Sequence, residues 1–257
     1  MKFRLAWLAL PALALSFVSA EAKTVCTMIA GEDGEIVLRD GDCGTQVTPA
    51  STFKIPLSLM GFDSGFLTDE HSPTLPFREG YPDWAGEAWR QPTDPARWMK
   101  YSVVWFSQQI TREFGKDRLQ AYVDAFGYGN ADLSGDPGKE NGLERSWIGS
   151  SLKISPEEQV GFLRRFLTGE LPVSDRAVDM TRRIIETTPL ADGWEAHGKT
   201  GGAFPWGWFV GWAEKDGRKL VFVRLVRDEK RQGTSPGIRA RQAFLEELPR
   251  LIASLDR

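Results

Sequence analysis

The apolar positions along the chain change texture twice. Near the N-terminus, residues 24–30 and 35–39 read as two strands around a turn at 31–34. Residues 49–60 (PASTFKIPLSLM) read as a short, largely apolar helix that would be buried. No sustained periodicity follows over 61–100, a stretch rich in Pro, Gly and Trp of the kind that drapes over a surface or lines a cleft. Helical spacing then returns. Residues 98–114 put Val103, Val104, Phe106 and Ile110 on one broad face, and 116–126 form a second amphipathic helix ended by Gly127. A polar loop covers 128–143. Ser155-Pro156-Glu157-Glu158 then opens a helix over 156–167, with a capping serine, proline at the first position and glutamate three residues on. Another helix is predicted over 174–186. From Trp194 the texture becomes aromatic and β-branched, with strands over 194–199, 206–214 and 219–227, and Lys215-Asp216-Gly217-Arg218 as the hairpin turn between the last two. Residues 236–253 close the chain as a helix.

Strands, a helical block, strands and a helix predict an α/β (α+β) fold in one catalytic domain over residues 21–257. Its antiparallel sheet is flanked by terminal helices, with an all-helical subdomain, roughly 62–190, inserted between strands. A catalytic cleft is expected between the two parts.

Composition narrows the function classes. The 257 residues are 41% hydrophobic and 26% charged, with a net charge of −3 spread along the chain, so no basic stripe for nucleic acid exists. Residues 1–20 read as a secretory signal: Lys2 and Arg4 precede an apolar run, and Val18-Ser19-Ala20 supplies small residues for cleavage after Ala20, with Ala22 as the alternative. A periplasmic or secreted protein free of the membrane after signal removal is expected, as a monomer or weak homodimer. The only cysteines, Cys26 and Cys43, flank the first hairpin, and in an oxidising compartment a disulfide is the expected state.

Histidine is scarce, with only His71 and His197, both readable as ordinary surface or strand residues. A multi-histidine metal site cannot be built from two, and lysine becomes the natural base. Ser51 and Lys54 stand three residues apart at a predicted helix start, so their side chains share a face. A serine hydroxyl is a poor nucleophile until a base takes its proton, and a desolvated neutral lysine is such a base. The chain holds a second copy of the spacing, Ser150-Ser151-Leu152-Lys153. It precedes the 156–167 helix in a stretch that reads as extended, where side chains three apart face opposite ways.

Four further stretches fit beside Ser51. Ser102-Val103-Val104 offers a hydroxyl to pass protons and apolar groups to exclude water. Tyr128-Gly129-Asn130 reads as a tight polar turn. Trp147 offers an indole N–H and a hydrophobic shield. Lys199-Thr200-Gly201-Gly202 supplies cation, hydroxyl and close backbone approach. An S-x-x-K followed by K-T-G marks the penicillin-recognising serine enzymes. The set STFK, SVV, YGN, WIGSSLKISPEEQ and KTGG resembles the class D (oxacillinase-type) serine β-lactamases over essentially the whole mature chain.

That resemblance implies a small-molecule β-lactam substrate, antibiotic resistance, no metal and no cofactor beyond carbon dioxide or bicarbonate. It implies Ser51 as the acylated nucleophile and Lys54, carboxylated on its amine (N6-carboxylysine), as general base. Ser102 would relay protons, and Val104 and Trp147 would shelter the carbamate. Lys199, Thr200 and Gly201 would bind substrate, with the backbone N–H groups of Ser51 and Gly202 as the oxyanion hole. Many members hold the substrate carboxylate with an arginine beyond the last strand; here Arg231, Ser235 and Arg239 all stand as candidates. The alternatives are a β-lactam sensor domain that stays acylated and a penicillin-binding peptidase.

Overall fold

The computed structural model describes residues 22–255, so the expected signal segment over 1–20 lies outside the described residues. In chain order the elements are β1 (Lys23–Gly31), β2 (Ile36–Gly41), α1 (Lys54–Asp63), α2 (Pro95–Tyr101), α3 (Val104–Phe126), α4 (Gly142–Arg145), α5 (Pro156–Thr168), α6 (Asp175–Ile184), β3 (Thr187–Pro189), β4 (Glu195–Ala203), β5 (Trp206–Lys215), β6 (Arg218–Arg227) and α7 (Pro236–Leu255). The six strands form one antiparallel sheet in the order β2-β1-β6-β5-β4-β3. This is the α+β arrangement the pattern predicts.

The central strands β5 and β6 are buried on both faces, so β6 reads as a nearly unbroken apolar run, yet its side chains sort with period two. Leu220, Phe222 and Val226 join Phe244, Leu248 and Ile252 of α7 in one core. Val221, Val223 and Leu225 join the larger core beneath the helices, with Phe53, Phe106 and Phe162. Each fully buried side chain of this size contributes about 1.5–3 kcal/mol. Cys26 of β1 and Cys43, just past β2, are joined in a disulfide. Helix α5 begins with the predicted capping box: Ser155 accepts from the Glu158 N–H, and Glu158 accepts from the Ser155 N–H.

Two differences from the sequence reading bear on the site. The helix expected over 98–114 is broken, because Ser102 takes a left-handed conformation (φ 57°, ψ 37°) and Val103 an extended one before α3 starts. Apolar spacing runs through the break because Val103 and Val104 are both buried, so periodicity does not register it. The second difference is β3, three residues long, which pairs with β4 at the sheet edge. Among the described residues no helix is long and apolar enough to cross a membrane.

Candidate active site

Ser51 sits in a single 3-10 turn, Ala50–Phe53, that leads into α1 rather than at the N-cap of α1 itself. Lys54 is the first residue of α1, and its Nζ lies 3.2 Å from Ser51 Oγ. Lys54 is only 1% exposed, and its chain neighbour Phe53 belongs to the core that also holds the buried Val103, Val104 and Trp147. Burial, reinforced by the positive charge of Lys199, holds the Lys54 amine well below its ordinary range. A lysine whose charged form is disfavoured in this way is suited to take the Ser51 proton.

The break between α2 and α3 brings Ser102 to the same place. Lys199 Nζ donates to Ser102 Oγ at 3.0 Å and to the Thr200 carbonyl at 3.0 Å. Lys199 is buried, and the loss of hydration pushes it down to about 8; Glu186 opposes this and Arg241 adds to it. Two lysines and two serines thus form two hydrogen-bonded pairs, Lys54 with Ser51 and Lys199 with Ser102.

The glycines of β4 serve close approach. A Cβ on Gly201 would lie 2.7 Å from the Pro49 carbonyl oxygen, and one on Gly202 would lie 2.2 Å from Ser235 Oγ. A side chain at Gly201 would push β4 away from the nucleophile turn, and one at Gly202 would displace the Ser235 hydroxyl from the cleft. Ser51, Ser102, Val104, Thr200, Gly202 and Ser235 line one cleft, whose rim includes the exposed Trp84, Tyr101 and Ile238. A second cavity shares Ser102 and Thr200 with it and extends to Lys199, Glu186 and Arg241.

The remaining predicted residues separate by geometry. Trp147 is buried and stacks on Phe53, ring centroids 5.5 Å apart and planes 25° apart. Tyr128 packs edge-on against the other side of this cluster, meeting Phe53 at 5.5 Å and Phe162 at 5.1 Å. Asn130 donates to the Ser151 carbonyl and accepts from the Lys153 N–H, both at 2.9 Å, so this turn braces the strand-like segment after Trp147. The second S-x-x-K belongs to that segment: Leu152 and Ile154 are buried, Lys153 faces out, and Ile154 bridges to Val47. Of the three carboxylate candidates, Arg239 is paired with Asp228 and donates to the Thr234 carbonyl, and Arg231 lies over the Phe204 ring at 4.6 Å. Ser235 is the one that lines the cleft. Sequence reasoning missed Glu186 and Arg241, whose 3.0 Å ion pair closes the cavity beyond Lys199. They lie 55 residues apart, and no local pattern links them.

Comparison with known proteins agrees with this geometry. The family described as "Penicillin binding protein transpeptidase domain" matches residues 15–249. β-Lactamase OXA-9 of Klebsiella pneumoniae is 44% identical over 253 residues, covering 93% of this chain and 92% of that protein. β-Lactamase OXA-1 of Escherichia coli is 39% identical over 207 residues, covering 78% of this chain and 74% of that protein. The crystal structure of OXA-427, a class D β-lactamase, superposes with a TM-score of 0.85 at 47% identity, covering 90% of this chain and 99% of that one. With the serine–lysine pair, the KTGG strand and these relatives in agreement, the chain belongs to the class D β-lactamases, serine hydrolases of β-lactam antibiotics.

Proposed function

We propose that the protein is an exported enzyme that opens the β-lactam amide through an ester on Ser51, with Lys54 as the base and a carbamate on Lys54 as its working form. One observation carries the reading: Lys54 Nζ stands 3.2 Å from Ser51 Oγ while the lysine is buried with no acidic partner that holds its charge. An isolated ammonium is costly in such surroundings, which favours the neutral amine. A neutral amine is also the form that adds carbon dioxide, and the burial of Lys54 shields such an adduct from bulk water. When bound, carbon dioxide supplies carbamate oxygens that take protons more readily than the hydroxyls around them.

In the first half of the reaction Ser51 Oγ bonds to the β-lactam carbonyl carbon and gives its proton to the Lys54 side chain. The backbone N–H groups of Ser51 and Gly202 receive the oxyanion. The ring C–N bond breaks, and the departing nitrogen takes the proton that Lys54 received, passed on by way of Ser102, whose hydroxyl Lys199 holds; Lys54 is thereby free again to act as base. In the second half water attacks the ester carbonyl, its proton goes to Lys54, and the C–O bond to Ser51 breaks as Ser51 recovers a proton. The substrate carboxylate rests on Lys199, the Thr200 hydroxyl and Ser235, since Arg239 and Arg231 are engaged elsewhere. The leader-like sequence over 1–20 and the Cys26–Cys43 disulfide support export to an oxidising compartment.

The test is mass spectrometry after brief treatment with a penicillin, together with nitrocefin turnover. Ser51→Ala should abolish both adduct and turnover, and Ser150→Ala should leave both nearly intact. An adduct on Ser150, or turnover surviving in Ser51→Ala, overturns the assignment.

A further inference from the structure

Thr48, three positions before Ser51, is buried and makes bonds in three directions. Its hydroxyl donates to the Trp147 carbonyl at 2.9 Å and accepts from the Gly149 N–H at 2.9 Å. Its own carbonyl accepts from the Trp208 indole N–H at 2.8 Å, which fixes Thr48 to β5. The single hydroxyl therefore uses its donor on one side of Ile148 and its acceptor on the other, where the chain turns at Gly149 with φ +71°. Both residues held this way reach the site: Trp147 stacks on Phe53, the neighbour of Lys54, and Ile148 lines the cleft with Ser51.

We infer that Thr48 is a positioning residue whose hydroxyl fastens the Trp147–Ile148 wall to the nucleophile turn, and that this fastening sets how firmly Lys54 retains carbon dioxide and how fast the acyl-enzyme is hydrolysed. The inference rests on the proposed carbamate at Lys54. Valine has nearly the same shape as threonine but would leave the Trp147 carbonyl and the Gly149 N–H without their shared partner. The loop keeps other ties, Ile148 N–H to the Arg145 carbonyl at 2.7 Å and Leu152 N–H to the Ser146 carbonyl at 3.0 Å, so the substitution loosens the wall without dismantling it. A wall free to lift admits water to Lys54, which favours the ammonium and disfavours the carbamate.

The experiment compares wild type, Thr48→Val and Thr48→Ser. Each is titrated with carbon-13 bicarbonate while the carbamate resonance is followed by NMR. Acyl-enzyme decay after a single penicillin turnover is followed by mass spectrometry. Thr48→Val should need about tenfold more bicarbonate for half-loading, the scale on which groups behind a ligand-bearing side chain act. It should deacylate more slowly by a similar factor, while Thr48→Ser stays near wild type. Equal half-loading in wild type and Thr48→Val overturns the inference and leaves the carbamate reading standing. No carbamate resonance in wild type overturns the carbamate reading and the inference with it. Should Thr48→Val fail to fold, Thr48→Ala removes the same hydroxyl with less bulk and carries the same test: weaker loading supports the inference, and unchanged loading overturns it.

Discussion

Replacing Glu186 with glutamine should move the alkaline limb of kcat/KM toward neutrality, and replacing Arg241 with glutamine should move it the other way. Lys199 is nearly fully buried, and lost hydration pushes its ammonium from 10.5 down to about 8, with Glu186 pulling up and Arg241 pushing further down. That displacement corresponds to about 3 kcal/mol borne by the charged form in the folded state. Because the folded value lies below the unfolded one, the cost to stability is present below about pH 8 and is relieved as pH rises from there toward 10.5. Activity runs in the opposite sense, since only the ammonium can hold a substrate carboxylate, and that form disappears as pH rises through about 8. The side chains of Arg241 and Glu186 are 29% and 47% exposed, so solvent weakens their influence on Lys199. An interaction of about 0.5–1 kcal/mol is expected at such sites. It translates into a movement of the limb by roughly half a pH unit. The assay is kcat/KM for a penicillin from about pH 6 to pH 10 at fixed ionic strength. An unmoved limb in Glu186→Gln, or a shift of the same sign in both variants, would refute the reasoning.

Lys54→Ala should lose turnover and leave a long-lived adduct on Ser51, and Trp147→Ala should acylate but deacylate slowly; acyl lifetimes by mass spectrometry decide, and near-normal turnover in Lys54→Ala would sink the mechanism. Because burial disfavours the charged form of Lys54, the neutral amine is lost as pH falls, so activity should drop in mild acid and partly recover with added bicarbonate. Reducing Cys26–Cys43, which closes a 17-residue separation, should cost about 3 kcal/mol in denaturant melts while leaving nitrocefin turnover at low temperature intact; an unchanged melting curve would contradict this. Gly201→Ala must move β4 or the nucleophile turn, since its Cβ would meet the Pro49 carbonyl at 2.7 Å. A loss of about 1–3 kcal/mol with reduced acylation is expected, and wild-type acylation would contradict it.

The parts of the site that sequence made legible are those fixed by short spacing or strong local grammar. Ser51 and Lys54 lie one turn apart, the Ser155 capping box fixes the start of α5, and the Lys215–Arg218 turn fixes the β5–β6 register. The second S-x-x-K was separable for the same reason, because its position ahead of the Ser155 cap leaves it extended. Less visible were features created when distant segments meet. The left-handed Ser102 depends on α2 ending beneath Lys199, and nothing in a run of buried apolar residues marks that break. The Thr48 hydroxyl finds its partners about a hundred residues later, and Glu186 finds Arg241 across the sheet edge. Choosing among Arg231, Ser235 and Arg239 likewise required knowing that Asp228 and Phe204 occupy the two arginines.

The position of β1 in the sheet carries a consequence for how the chain reaches its native state. The first strand lies between β2 and β6, with Lys23 opposite Arg227. Until β6 has left the ribosome the sheet has no centre, and the hairpin of β1 and β2 presents an open hydrogen-bonding edge. Pairing between chain ends is slow to nucleate, because so long a loop must close before any contact rewards it. The disulfide, by contrast, joins residues within the first hairpin and can form without β6. Completion of the sheet therefore waits on its last strand: a fragment ending at Gly217 would hold Ser51, Lys54, Ser102 and Lys199 yet lack the strand that joins β1 to β5.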